Sequence, residues 1–204
     1  MPPRKTALVT GASSGIGLEL ATLFAKDGHD VVLVARSGSQ LNALAERLHS
    51  TYGIVARALV KDLSNPAAPR EIFAEVPSVD FLVNNAGYGW HGAFAQANPD
   101  EQLAMLRVNV TALMELTGLY LPGMVSRGSG RVLNVGSTAG FLPGPFMAVY
   151  YASKAFVISF TEAIAEELRG TGVTATCLAP GATGTGFVQR SGVGSTRLFK
   201  SALA

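Results

Sequence analysis

Six short runs rich in Val, Leu and Ala alternate with longer segments of helical periodicity, and this alternation constrains the fold more than anything else in the chain. Residues 7–9, 31–35, 56–60, 81–83, 131–135 and 174–179 read as strands, and residues 17–26, 41–49, 70–75, 100–124 and 152–168 as helices. The strands are continuously apolar, so both faces are expected to be buried. That calls for a parallel sheet covered by helices on each side, a doubly wound α/β architecture. A chain of 204 residues suits one such domain spanning 1–204.

Sheets of this kind bind ligands beyond the carboxyl ends of their strands. The strand ends here are rich in small and polar residues. The first strand runs into Thr10-Gly11-Ala12-Ser13-Ser14-Gly15-Ile16-Gly17, the second into Arg36-Ser37 and the third into Asp62-Leu63. The fourth leads to Asn84-Asn85-Ala86-Gly87, the fifth to Gly136-Ser137 and the sixth to Pro180-Gly181. Gly11, Gly15 and Gly17 follow a strand and open a helix, the setting in which backbone approaches phosphate and a helix N-terminus stabilises its charge. The spacing is G-x-x-x-G-x-G, not the general dinucleotide fingerprint, so a plain glycine-rich turn is the competing reading of this loop alone. Arg36 stands where an acidic residue would bind a ribose hydroxyl. A basic one there suits a 2′-phosphate, with Ser13, Ser14 or Ser37 as hydroxyl partners, which predicts NADP(H) in preference to NAD(H).

Composition narrows the function classes. A net charge of +2 with no dense Lys/Arg run argues against nucleic acid as a partner. Cys177 is the only cysteine, which rules out an internal disulfide or a cysteine-based metal cluster, and its apolar surroundings suggest a buried structural thiol. Three scattered histidines offer no metal-site spacing, and His91 reads as a polar loop residue. No signal-peptide h-region or run of membrane-spanning length is present, so a cytoplasmic setting is expected.

Tyr150 and Lys154 are separated by one helical turn, with Ser137 one strand-to-helix connection earlier. On a helix the ammonium and phenol share a face, and a nearby cation lowers a phenol's pKa. Such a tyrosine can act as proton donor or acceptor, with a hydroxyl such as Ser137 polarising the same substrate oxygen. Tyr151, i,i+3 from Lys154, shares that face too, so spacing alone leaves both phenols open. Residues 139–147 and 88–92, which follow Ser137 and the Asn-Asn-Ala-Gly run, are candidates for an apolar substrate wall or for ordinary loop packing.

Taken together, Thr10 to Gly17, Asn84-Asn85-Ala86-Gly87 and Tyr150 to Lys154 resemble the T-G-x-x-x-G-x-G, N-N-A-G and Y-x-x-x-K motifs of the short-chain dehydrogenase/reductase family. The resemblance runs over nearly the whole chain. It implies a Rossmann-type fold, an NADP-dependent oxidoreductase acting between a carbonyl and a secondary alcohol, and a homodimer or homotetramer. It selects Tyr150 over Tyr151 as the acid/base, because Y-x-A-S-K fits only that register. It adds Asn109 to a catalytic set with Ser137, Tyr150 and Lys154, as the support of a water-mediated proton path. The cofactor would meet Gly11, Ser13, Ser14, Gly15, Ile16, Gly17 and Arg36, with Asp62-Leu63 at adenine and Asn85-Ala86-Gly87 near the adenosine ribose. Lys154 would hold the nicotinamide ribose beside Tyr150, and Pro180, Gly181 and Thr185 the nicotinamide end. Family members continue through a substrate-covering segment and another strand, so a chain ending at Ala204 is expected to lack the usual C-terminal strand. Residues 188–204 are then expected to form a mobile substrate loop or tail. A catalytically silent NADP-binding regulatory or interaction protein is the alternative from a different class, since a fold does not by itself establish turnover.

Overall fold

The computed structural model describes residues 4–181, so Thr185 and the 188–204 segment lie outside the described residues. Six strands, β1 (Thr6–Thr10), β2 (Asp30–Ala35), β3 (Ala56–Val60), β4 (Phe81–Asn84), β5 (Gly130–Val135) and β6 (Val173–Leu178), form one sheet in the order β3-β2-β1-β4-β5-β6. Every pairing is parallel, for example Leu8↔Val32, Leu8↔Leu82 and Asn84↔Asn134. The chain winds outward from β1 to β3, then returns beside β1 and winds the other way from β4 to β6. That reversal opens a crevice at the carboxyl ends of β1 and β4. Among the described residues β6 pairs only with β5.

Helices cover both faces: α1 (Gly15–Lys26) and α2 (Gly38–Tyr52) on one, α3 (Ala68–Glu75), α5 (Leu113–Arg127) and α6 (Ala148–Glu167) on the other, while α4 (Pro99–Leu106) leads into α5. Successive strand residues point to opposite faces, so Leu8 packs with Ile72, Leu82 and Leu116, and Val9 packs with Ala21, Leu33 and Leu48. Leu8, Leu33, Leu48, Ile72, Leu82 and Leu116 are fully buried, and side chains of this size each contribute about 1.5–3 kcal/mol on burial.

The expected helix over 100–124 is not one regular helix. Asn98 caps α4 by accepting from the Asp100 N–H at 2.9 Å. The chain then widens into a π-helical turn over Arg107–Ala112 before resuming as α5. Apolar side chains continue to fall inward across this turn, so the sequence pattern does not reveal it, although π-turns of this kind are frequent at functional sites. The last helix begins at Ala148, not at 152, which puts Tyr150 in its first turn. Its start carries no capping side chain, as Met147 occupies the N-cap position.

A row of polar side chains crosses this otherwise apolar interior. Asn84 Nδ2 donates to Thr117 Oγ1 (3.0 Å) and Asn134 Oδ1 (2.9 Å), and Asn134 Nδ2 donates to Thr161 Oγ1 (3.0 Å). The two hydroxyls donate in turn to the carbonyls of Leu113 (2.8 Å) and Val157 (2.6 Å). This row ties α5, β4, β5 and α6 together below the carboxyl ends of the strands. No helix of the described residues is long and apolar enough to cross a membrane.

Candidate active site

The glycine loop after β1 and the segment after β4 hold each other in place. Thr10 Oγ1 accepts the N–H groups of Asn85 (2.9 Å) and Ala86 (3.0 Å). Asn85 Nδ2 donates to the carbonyls of Thr10 (2.8 Å) and Gly11 (3.3 Å). The Asn85 amide is thereby committed to shaping the loop. Gly11 has φ +66°, a left-handed conformation that glycine adopts without strain. A Cβ at Gly17 would run into the Gly11 carbonyl and Asn85 Nδ2. Ser14 precedes α1 in extended conformation and makes no side-chain cap, so the first N–H groups of α1 have no hydroxyl of their own to bind.

Arg36 follows β2, and Asp62 follows β3 on the neighbouring strand, so both stand at the same end of the sheet. Desolvation raises the Asp62 pKa, but hydrogen bonds from the Ser64 N–H (2.9 Å) and hydroxyl (2.8 Å), together with the Arg36 charge, outweigh it and leave Asp62 below the ordinary carboxylate value.

The other half of the site is built from β5, the π-turn and α6. Asn109 is buried on the π-turn. Its Oδ1 accepts the Tyr88 N–H (3.1 Å), and its Nδ2 donates to the Tyr88 carbonyl (2.9 Å) and to Ser153 Oγ (3.1 Å). Ser153 Oγ in turn donates to the Tyr150 carbonyl at 2.6 Å. The Asn109 side chain thus clamps the segment after β4 to the first turn of α6. Ser137 caps the 3-10 turn over Thr138–Phe141, accepting the Ala139 N–H at 3.1 Å, and its hydroxyl also lies 3.4 Å from the Pro180 carbonyl.

Tyr150 and Ser137 are hydrogen-bonded through their side chains. Burial raises the Tyr150 pKa, the Ser137 bond pulls it down, and Tyr151 raises it, with a net rise. Lys154 Nζ donates to the Val135 carbonyl at 2.7 Å and lies 5.9 Å from the Tyr150 ring centre. Burial lowers its pKa to about 8, opposed by Cys177. The spacing argument has Lys154 lowering the Tyr150 pKa. In this structure burial dominates and the phenol is raised, with the ammonium engaged by the strand-end carbonyl. The Tyr150 phenol therefore keeps its proton at neutral pH.

One cavity of about 1280 Å³ reaches from Ser13, Ser14 and Arg36 past Gly87 to Ser137, Tyr150 and Lys154. Gly11, Gly15, Ile16, Asp62, Leu63, Asn85, Ala86, Pro180 and Gly181 line it as well. Gly17 and Asn109 stand behind its wall and shape it. Sequence reasoning gives Thr10 and Ser153 no role of their own, and offers Tyr88 only as a candidate for the substrate wall, where it does line the cavity. Thr10 and Ser153 sit inside motifs already singled out, while the backbone pairing of Tyr88 with Asn109 leaves no sequence signal. Tyr151, the rival phenol, packs its ring on Gly144, where a Cβ would overlap the ring. Among the described residues, no group of three His, Cys, Asp or Glu is placed to hold a metal ion.

Comparison with known proteins places these features in a family. The sequence model of the short chain dehydrogenase family matches residues 5–194. The ketoacyl reductase HetN of Nostoc is 40% identical over 181 residues, covering 87% of this chain and 63% of that protein. A very-long-chain 3-oxoacyl-CoA reductase of Laccaria bicolor is 37% identical over 174 residues, covering 82% of this chain and 52% of that protein. The chain therefore spans less than two thirds of the length of either relative. A short-chain dehydrogenase from Sphingobium yanoikuyae, solved in complex with NADPH, superposes with a TM-score of 0.89 at 38% identity, covering 92% of this chain and 75% of that one. With its parallel six-stranded sheet, its strand-end motifs and these matches, the chain belongs to the short-chain dehydrogenase/reductase family.

Proposed function

We propose that the protein is an NADP(H)-dependent oxidoreductase that interconverts a carbonyl compound and a secondary alcohol, with Tyr150 as the acid/base. The observation that carries this reading is the Ser137–Tyr150 hydrogen bond inside the cavity that also contains the glycine loop and Arg36. The residues fit a dinucleotide. Gly17 lets the Gly11 carbonyl and the Asn85 amide close in behind the loop, α1 presents uncapped N–H groups to phosphate, and Arg36 supplies a cation at the end of β2. Asp62-Leu63 would meet the adenine, and Gly87, Lys154 and Pro180-Gly181 the ribose and nicotinamide. When bound, the nicotinamide supplies or accepts the hydride.

The side chains account for the rest. Ser137 and Tyr150 direct two hydroxyls at one substrate oxygen, polarising the carbonyl as negative charge develops. In reduction, Tyr150 donates its proton to that oxygen, and in oxidation it accepts one. Lys154, held by the Val135 carbonyl, places a positive charge beside the phenol and stabilises the phenolate left after proton donation. Asn109 holds Tyr88 and Ser153, and through Ser153 the Tyr150 backbone, so it fixes the acid/base in position. Exposed Leu103 and Met114 on α4 and α5 and Phe156 on α6 support a homo-oligomer.

Oxidation of NADPH in the presence of a panel of aldehydes and ketones tests the reading. Binding of NADPH without turnover of any panel member would favour the regulatory alternative. Arg36→Ala is expected to weaken NADPH binding by about 10- to 100-fold, the range of a lost charge-assisted bond, and NADH binding by less than about threefold. Equal losses for both nucleotides in fluorescence titrations would remove Arg36 from phosphate recognition.

The pH dependence follows from Lys154. Its folded pKa of about 8 lies below the usual lysine value, so the ammonium is present below pH 8 and is lost as pH rises through it. Reductive kcat/KM, which reports the free enzyme, is expected to fall above about pH 8 while Tyr150 remains protonated. A reductive profile that stays flat to pH 10 would contradict this role.

A further inference from the structure

The cavity changes character along its length. Its described charged residues at the β2 and β3 ends are Arg36, Lys61 and Asp62. Beyond Lys154, the segments 88–108 and 135–151 contribute no Asp, Glu, Lys or Arg to the wall among the described residues. They contribute mostly aromatic and aliphatic side chains, with Ser137, Thr138 and His91 as the polar ones besides the tyrosine hydroxyls. Leu142 and Phe146 line this end yet are 68% and 58% exposed, and Phe141 beside them is 64% exposed. Apolar area of this extent in contact with water is unusual unless something covers it.

Phe146 is also the one non-glycine residue of the described chain with positive φ, at +66°. A bulky residue in the left-handed region is held there at a cost of about 1–3 kcal/mol and persists only when its surroundings impose it. Here the surroundings are visible. The Phe146 carbonyl accepts the Gly92 N–H at 2.8 Å, and the Met147 N–H donates to the Gly144 carbonyl at 3.0 Å. The His91 and Phe146 rings lie 6.0 Å apart, and Tyr151 packs on Gly144. The loops after β4 and β5 are therefore tied together across the mouth of the cavity by a strained residue. Its ring lines the cavity while remaining largely open to water.

Resting on the oxidoreductase reading above, we infer that this rim selects an uncharged ketone, or the matching secondary alcohol, with a bulky apolar substituent, and that Phe146 is a specificity-determining residue. An apolar substituent would cover the exposed ring and leucine. A carboxylate or phosphate in the same place would leave that apolar surface uncovered and would meet no Lys or Arg of the described rim.

The test uses the full chain with NADPH and three ketones: 4′-methylacetophenone, 4-acetylbenzoate, which replaces the methyl by a carboxylate, and 2-butanone. The methyl ketone is expected to show a kcat/KM at least about tenfold above that of the carboxylate, a discrimination within reach of one pocket contact. Phe146→Gly and Phe146→Asn both suit left-handed backbone and so preserve the loop while removing the ring. Each is expected to lower the kcat/KM ratio of 4′-methylacetophenone to 2-butanone by about tenfold, chiefly through KM. An unchanged ratio in both variants, or a wild-type preference for 4-acetylbenzoate, overturns the inference while leaving the oxidoreductase reading standing. Absence of turnover with all three ketones, where other members of the aldehyde and ketone panel are reduced, overturns the inference alone; absence of turnover across the whole panel overturns both.

Discussion

Replacing Tyr150 by Phe is expected to lower kcat for ketone reduction by about 10³-fold, within the range attributed to a positioned general acid. The ring, its burial and the start of α6 are retained, so thermal unfolding and NADPH binding should stay close to wild type. Only the hydroxyl that pairs with Ser137 is lost. Tyr151→Phe is the informative partner, because both phenols stand near Lys154 in sequence. Tyr151 uses its ring face to pack on Gly144, and the variant keeps that ring, so kcat is expected within about threefold of wild type. Steady-state kinetics on the two variants decides the assignment. If Tyr151→Phe were the inactive one, the acid/base would have to be moved.

Gly17→Ala is expected to have the second largest effect, on both stability and cofactor binding. The added methyl would meet the Gly11 carbonyl and the Asn85 amide. Neither can yield cheaply. The carbonyl belongs to the loop backbone, and the amide already donates to Thr10 and Gly11. Overpacking of this kind costs about 1–3 kcal/mol, which for a chain of this size lowers Tm by roughly 3–10 °C. Because the displaced atoms shape the phosphate cradle, NADPH affinity should fall by at least about tenfold. A melting curve and a nucleotide titration check the two effects separately. Unchanged affinity would remove the loop from cofactor recognition.

Most of the fold was legible because the strands are buried on both faces and carry a signal that little else produces. Ala56 to Val60 is β3 as read, β1, β2, β4 and β5 extend the readings by one residue at one or both ends, and β6 is shifted by one. The π-turn was not legible. It adds backbone per turn without changing which residues are apolar, and the contact its Asn109 makes with Tyr88 is remote in sequence. The first turn of α6 was missed for a different reason: Met147 offers no capping oxygen to announce it.

The candidate site shows the same division. Gly11 and Ser137 were visible because they follow strand ends, Tyr150 and Lys154 because they stand one helical turn apart within a motif, and the structure brings all four to one cavity. What the side chains do to one another was not visible. Burial, not the neighbouring ammonium, governs the Tyr150 phenol, and the Lys154 ammonium binds the Val135 carbonyl. Both outcomes depend on how deeply α6 sits against β5.

α6 is tied to β5 by the row from Thr117 through Asn84 and Asn134 to Thr161. Oily side chains can slide past one another and still remain covered, whereas the bonds from the Asn84 and Asn134 amides to Thr117, Asn134 and Thr161 form only in one alignment. A shift of α6 along the sheet would leave the Asn134 amide without its Thr161 partner in a dry interior. The row therefore works as a detent: it holds α6 at one setting against the sheet, whatever the loops above it do.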